Sequence, residues 1–280
     1  MAAAAQADVA VVVVATTEEV ESEGFDRTDL RLPGHQDELV ARVAAANPRT
    51  VVVVNTGSPV ELPWNDAVPA VLLSWFPGQE AGHALADVLL GAAEPGGRLP
   101  TTWPSHAEDC PVLDPRPTDG VLRYDEGVLV GYPGWKHSAV APAYWFGHGL
   151  GYTDWDYESA EFLPVDGEPT ADDRASLGVL RVRVRNIGTR PGREIVQTYL
   201  EPAVTGTPSD IGHSPCRLAG FASAQADPGQ TVTVDIEVPR RAAQFWDTTT
   251  QSWRDLPGGH RLRTGRSYAD LRLDTTVARG

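Results

Sequence analysis

Near Leu177 the apolar residues of this chain change period, and no single type of sheet accommodates both halves. Before that point residues 9–14, 51–54 and 70–75 are short apolar runs, and Leu39, Val40 and Val43 stand at helical spacing between the first two. Such runs, bounded by polar turn signals, read as parallel-sheet strands covered on both faces. Beyond it Leu180, Val182 and Val184 alternate with Arg181, Arg183 and Arg185, and Val232, Val234, Ile236 and Val238 alternate with Thr231, Thr233, Asp235 and Glu237. Alternation by two is the mark of antiparallel sheet with one wet face. The chain is therefore predicted to be α/β plus all-β: a covered parallel or mixed sheet first, then a fibronectin-like β-sandwich. The strands of the second half are short, separated by Gly and Pro turns, and lack the Cys-Trp-Cys arrangement of antibody domains.

A second helix is predicted over residues 79–90, with Ala81, Ala84, Leu85, Val88 and Leu89 on one stripe and Gly91 as its stop. Residues 95–152 are rich in Pro, Gly and aromatics and have almost no periodicity, which predicts a loop-rich connector. The density of Tyr132, Trp135, Tyr144, Trp145, Phe146, Tyr152, Trp155 and Tyr157 suggests that this stretch crosses a domain interface or lines a cleft. An Ala-rich helical remnant leads into the first valine run without a capped start, so the chain is expected to begin inside a domain.

Composition excludes several partners. A net charge of −15 opposes nucleic acid and anionic membrane surfaces, which need Lys and Arg clusters, and favours a neutral ligand. No run reaches the roughly 18 apolar residues of a membrane span. Without a positive leader region, the cytoplasm is favoured. Cys110 and Cys216 are far apart with no C-x-x-C spacing and are expected to be free thiols. His35, His83, His106, His137, His148, His213 and His260 show no ligand spacing, so neither metal nor cofactor is expected. Ser58, Ser74 and Ser105 have no G-x-S-x-G elbow, and the glycine after residues 51–54 lacks the rest of a dinucleotide fingerprint.

The candidate chemistry lies just past the first strand, where Glu18, Glu19, Glu21 and Glu23 crowd one loop. Ligands of open α/β sheets bind beyond the carboxyl ends of strands, and a carboxyl there can serve as a proton donor. An acid cluster between strand and helix is, on spacing alone, more often a solvated loop. Gly24, Asp26 and Arg27 read as support for that loop, a turn residue beside an acid and a base able to pin it. Trp75-Phe76 and Trp145-Phe146 suit stacking on a sugar ring, although core packing is the commoner fate of such pairs.

Several segments together resemble a known family. EEVESEGFDRTDLRLP, VVVVNTGSPVELPW, LLSWFPGQEAGHALADVLLGAAEPGGRLPTTWP, YDEGVLVGY and YWFGHGLGYTDWDY are similar, in order, to the C-terminal part of a glycoside hydrolase family 3 β-glucosidase, and RVRVRNIGTRPGREIVQTYLEP resembles the fibronectin-like domain that follows in many of them. The resemblance implies a partial α/β sandwich over residues 1–155, a fibronectin type III-like β-sandwich over 156–280, and a retaining enzyme acting on a β-glucoside or oligosaccharide. It places the general acid/base on Glu19, with Glu21 and Glu23 as alternatives because the loop varies in length, and Val20 replaces a tryptophan of such relatives. The family's nucleophilic aspartate lies in a barrel of roughly 250 residues. That barrel is not found here, so a barrel in trans or a second copy of the chain is an expected partner. The competing expectation is a noncatalytic sugar-binding or accessory module.

Overall fold

The structure is a computed structural model that describes residues 1–112, 116–165, 175–202 and 216–277; His213 lies outside them. The chain divides into two compact units. The first comprises Met1–Ala93, Trp103–Asp114 and Val140–Ala143; the second comprises Glu94–Thr102, Pro115–Ala139 and Tyr144–Gly280. The connector predicted over 95–152 is thus shared out between both.

The first unit contains α1 (Ala2–Gln6), β1 (Ala10–Ala15), α2 (Gln36–Ala46), β2 (Thr50–Asn55), β3 (Ala70–Leu73) and α3 (Ala81–Leu89). The strands form one parallel sheet in the order β1-β2-β3, paired from Ala10↔Thr50 to Ala15↔Asn55 and from Val51↔Ala70 to Val54↔Leu73. Valine favours these strands because its branched Cβ packs well on a pleated surface. The connection through α2 lets β2 run parallel to β1. Asp37 and Glu38 occupy the first turn of α2, where the helix dipole stabilises negative charge. Asn47, just past the helix, donates to the carbonyls of Ala4 and Ala7 at 2.9 Å each and accepts from the Arg49 amide, joining the amino-terminal segment to the start of β2.

β2 meets the expectation of a covered strand, with Val52, Val53 and Val54 all at 1% exposure or less; β1 does not. Val12 and Val14 are buried, but Val11 and Val13 remain 49% and 54% exposed. The physical reason is that α2 lies against one face of this edge strand, and no described residue of the unit closes the other. α3 forms where predicted and Gly91, at φ 76°, ends it, yet none of its residues is buried and Leu89 is exposed.

The second unit contains α4 (Tyr132–His137), β4 (Trp155–Pro164), β5 (Ser176–Asn186), β6 (Gly192–Pro202), β7 (Arg217–Ala226), β8 (Thr231–Pro239), β9 (Gln244–Asp247), β10 (Ser252–Asp255), β11 (His260–Ser267) and β12 (Asp270–Val277). Two antiparallel sheets, β4-β5-β8 and β12-β11-β6-β7, enclose a core that includes Trp155, Leu180, Val182, Val184, Val196, Leu200, Ile236 and Leu262. The alternating arginines of β5 face outward as expected, and Arg181 pairs with Asp235 directly across the ladder through two bonds of 2.9 Å.

β6 is buried on both sides, and its outer side carries polar groups. Glu194, fully buried, meets two arginines: Arg98 donates Nη2 to Oε1 at 2.7 Å, and Arg266 Nε stands 2.7 Å from Oε2 as an ion pair outside hydrogen-bonding angles. Farther along, Tyr199 and Tyr268 enclose Cys216, with Tyr132, Trp145 and Phe146 packed on them. Trp145 and Phe146 are therefore packing residues of the second unit rather than a sugar platform. Their apolar area is worth more against other rings than against water. Both cysteines are unbridged.

Candidate functional site

All three parallel strands end at one edge, and the loops that leave them converge there. After β1 the chain folds tightly, with the amides of Val20 and Glu21 both donating to the Thr17 carbonyl at 2.9 Å. Residues 18–20 form this turn, and Glu18 and Glu19 are exposed on it. A second narrow turn follows, closed by a bridge between Ser22 and Phe25, and it leaves Glu23 and Gly24 exposed.

The acids of this loop divide by environment. Glu21 turns back beneath it: its carboxylate accepts from Thr16 Oγ1 at 2.5 Å, Ser58 Oγ at 2.8 Å and the Gly57 amide at 3.1 Å. Burial pushes its pKa up, but those three hydrogen bonds and the nearby charge of Arg27 outweigh burial and hold it below the ordinary glutamate range. Arg27 donates to Ser58 Oγ at 2.8 Å and to the Pro59 carbonyl at 3.2 Å, so it pins the acidic loop to the loop after β2. Asp26 is exposed and has no share in that pinning; Arg27 turns to residues 58 and 59 instead of to its neighbour. Gly24 has room for a Cβ, with Ser22 Oγ at 3.5 Å as the nearest atom, so the turn does not depend on glycine there.

Gly57 is the glycine the site requires. A Cβ on it would lie 2.7 Å from both Glu21 Oε1 and Phe76 Cε2, so the carboxylate and the ring approach its backbone as closely as atoms allow. Phe76 follows β3 and is 62% exposed. The residue before it, Trp75, has φ 53°, a left-handed conformation that is strained for a tryptophan. Its indole makes an edge contact with Trp103 at 6.1 Å, which holds Trp75 inward while the chain turns Phe76 out. At the outer edge Gln36 accepts from the Ala15 amide and donates to the Ala15 carbonyl, both at 2.8 Å, securing the end of β1.

The structure thus brings Glu21, Arg27, Gly57, Ser58 and Phe76 together, with Glu19 and Glu23 on the exposed rim. Thr16, Gly57 and Ser58 escape a reading of local pattern, since the bonds they make to Glu21 span up to 37 residues; the available signal was the Thr-Gly-Ser step directly after a valine strand.

The anchoring of Glu21 has a pH signature. Its folded pKa is depressed, so the stability it contributes is complete above the unfolded value, about 4.3, and is lost as pH falls through the folded one. Thermal melts of the chain should therefore show an acid-side decline below about pH 4.3 that is smaller in Glu21→Gln. Identical pH profiles for the two proteins would contradict this anchoring role.

Residues 1–152 match the family model of the glycosyl hydrolase family 3 C-terminal domain, and residues 194–268 match that of a fibronectin type III-like domain. Over 271 residues the chain is 36% identical to a probable β-glucosidase I of Aspergillus terreus, covering 96% of this chain and 32% of that protein. It is 37% identical to thermostable β-glucosidase B of Acetivibrio thermocellus, covering 98% of this chain and 35% of that protein. Among solved structures, the β-glucosidase DesR of Streptomyces venezuelae, in complex with D-glucose, superposes with a TM-score of 0.86 at 37% identity, covering 99% of this chain and 34% of that one. A Kluyveromyces marxianus β-glucosidase in complex with glucose gives a TM-score of 0.86 at 31% identity, covering 99% of this chain and 33% of that one. The chain spans about a third of the length of the curated relatives it matches.

Proposed function

The chain belongs to glycosyl hydrolase family 3, and from that premise we propose that it is the C-terminal portion of a retaining β-glucosidase and supplies the general acid/base through Glu19. The observation that carries this choice is the division of labour in the acidic loop. A group that must hold a proton at working pH and deliver it to a leaving oxygen needs a pKa near that pH and a free oxygen. Glu21 has neither, because three donors occupy its carboxylate and depress its pKa. Glu19 is exposed on a turn whose backbone is fixed by Thr17. Glu23 sits past it on the narrower Ser22/Phe25 turn.

In this reading Glu21, Arg27, Gly57 and Ser58 hold the loop, and Glu19 protonates the glycosidic oxygen as the bond to the anomeric carbon breaks. Glu19 then takes a proton from the water that releases the sugar. The attacking carboxylate, roughly 5 to 5.5 Å from the acid in retaining enzymes, comes from a barrel domain outside these 280 residues. On its own the chain then forms no glycosyl-enzyme intermediate. Purified alone, it should release no nitrophenol from an aryl β-glucoside above the blank, and co-production with the part of Acetivibrio thermocellus β-glucosidase B that this chain does not cover should restore release. Robust turnover by the chain alone would overturn the proposal.

A further inference from the structure

The chain's eight tryptophans differ widely in exposure, with Trp75 and Trp145 intermediate. Trp64, Trp103, Trp135 and Trp155 are at most 5% exposed, whereas Trp246 and Trp253 remain 46% and 43% exposed. The exposed two lie directly opposite each other on the β9–β10 hairpin, their rings 5.5 Å apart and edge to face at 69°. A cross-strand pair of this kind stabilises a hairpin, yet that contact leaves nearly half of each indole in water.

The groups around the pair are polar. Gln244 and Asp255, opposite each other two positions along, project to the same side of the ladder as the indoles. Asp255 accepts from Arg240 through Nε at 3.2 Å and Nη2 at 2.9 Å, and from Gln244 Nε2 at 2.9 Å. The Arg241 guanidinium lies 3.9 Å over the Trp253 ring. The platform is held from below and at its tip. Ala242, Ala243 and Leu256 are buried, the Leu256 amide donates to the Ala243 carbonyl at 2.8 Å, and Arg217 donates to the Gln244 carbonyl at 2.6 Å. At the tip Asp247 accepts from the amides of Thr249 and Thr250 and from Arg254 at 3.0 Å.

We propose that this hairpin is an open binding platform for a neutral β-linked gluco-oligosaccharide. The electron-rich indole face attracts the weakly positive C–H face of a pyranose ring, and the amide, carboxylate and guanidinium groups at the rim match its equatorial hydroxyls. Arg240 is offset by Asp255, and the net charge of −15 repels polyanions. Only the choice of a β-glucan rests on the reading of Glu19; the platform itself does not.

The test uses the full chain and cellotetraose, followed through the indole N–H signals in proton NMR, with the two signals identified by Trp246→Phe and Trp253→Phe. Saturable shifts of those two signals are expected, with about tenfold weaker binding in Trp246→Ala and unchanged binding in Glu19→Gln. Absence of saturable shifts at these two indoles, or shifts confined to other tryptophans, would overturn the platform. Equal affinity for maltotetraose would overturn its preference for β-linkage. The wild-type signals decide the matter even if an alanine variant loses the hairpin. Because the readout is binding, loss of the Glu19 assignment leaves this result standing, and the reverse holds too.

Discussion

Glu19→Gln, in a chain completed by a family 3 barrel, is expected to lower turnover of cellobiose by about 10²–10⁴-fold. Glucose is a poor leaving group and needs its oxygen protonated as the bond breaks. Nitrophenolate leaves without that help, so formation of the glycosyl-enzyme from nitrophenyl β-glucoside should fall far less. Its hydrolysis then stalls for want of a base, and a small nucleophilic anion such as azide should restart it. Steady-state rates on both substrates, with and without azide, give the answer. The same change at Glu23 should leave the ratio of the two rates unchanged. At Glu21 it should lower thermal stability, because Thr16, Ser58 and the Gly57 amide lose a charged acceptor, about 2 kcal/mol in all. An equal loss on both substrates in Glu19→Gln, with no effect of azide, would remove Glu19 from the role of acid/base.

Glu194→Ala is expected to be the most damaging single change to the second unit. The carboxylate is fully buried between Arg98, 8% exposed, and Arg266, 12% exposed, and it is the anion they share. Truncation strands two guanidiniums in a region that water barely reaches, at a cost of about 3–5 kcal/mol. Denaturant unfolding should show a midpoint lowered accordingly, while Arg181→Ala, which breaks an exposed pair, should move it far less. Comparable losses in the two variants would mean that the buried triad is not a principal support of the unit.

The period of the apolar residues carried most of the fold. Valine runs and helical spacing foretold β1, α2, β2 and α3, and strict alternation foretold the sandwich around Leu180, Val182 and Val184. Cover was less legible. Val11 and Val13 belong to a run like that of β2, but whether such a strand is enclosed depends on what lies across the sheet, which no local window contains. The site divides in the same way. The glutamates after β1 stand out in the sequence, and the family resemblance points to Glu19 with Glu21 and Glu23 as alternatives. That Glu21 is an anchor depends on Gly57 and Ser58, and Arg27 reaches Ser58 and Pro59 rather than its neighbour Asp26. Arg98, Glu194 and Arg266 are likewise separated by 96 and 72 positions, and ordinary spacing rules stop far short of that.

Cys216 makes the second unit its own clock. Burial, followed by the nearby charge of Glu201, pushes its thiol up to about 12, and Tyr199 and Tyr268 wall it in. An alkylating reagent attacks the thiolate only, so at neutral pH this sulfur is silent until the β6–β11 region opens. In a Cys110→Ser background, the rate at which iodoacetamide modifies the chain then reports how often that region opens, and ligands or substitutions that tighten it should slow the reaction.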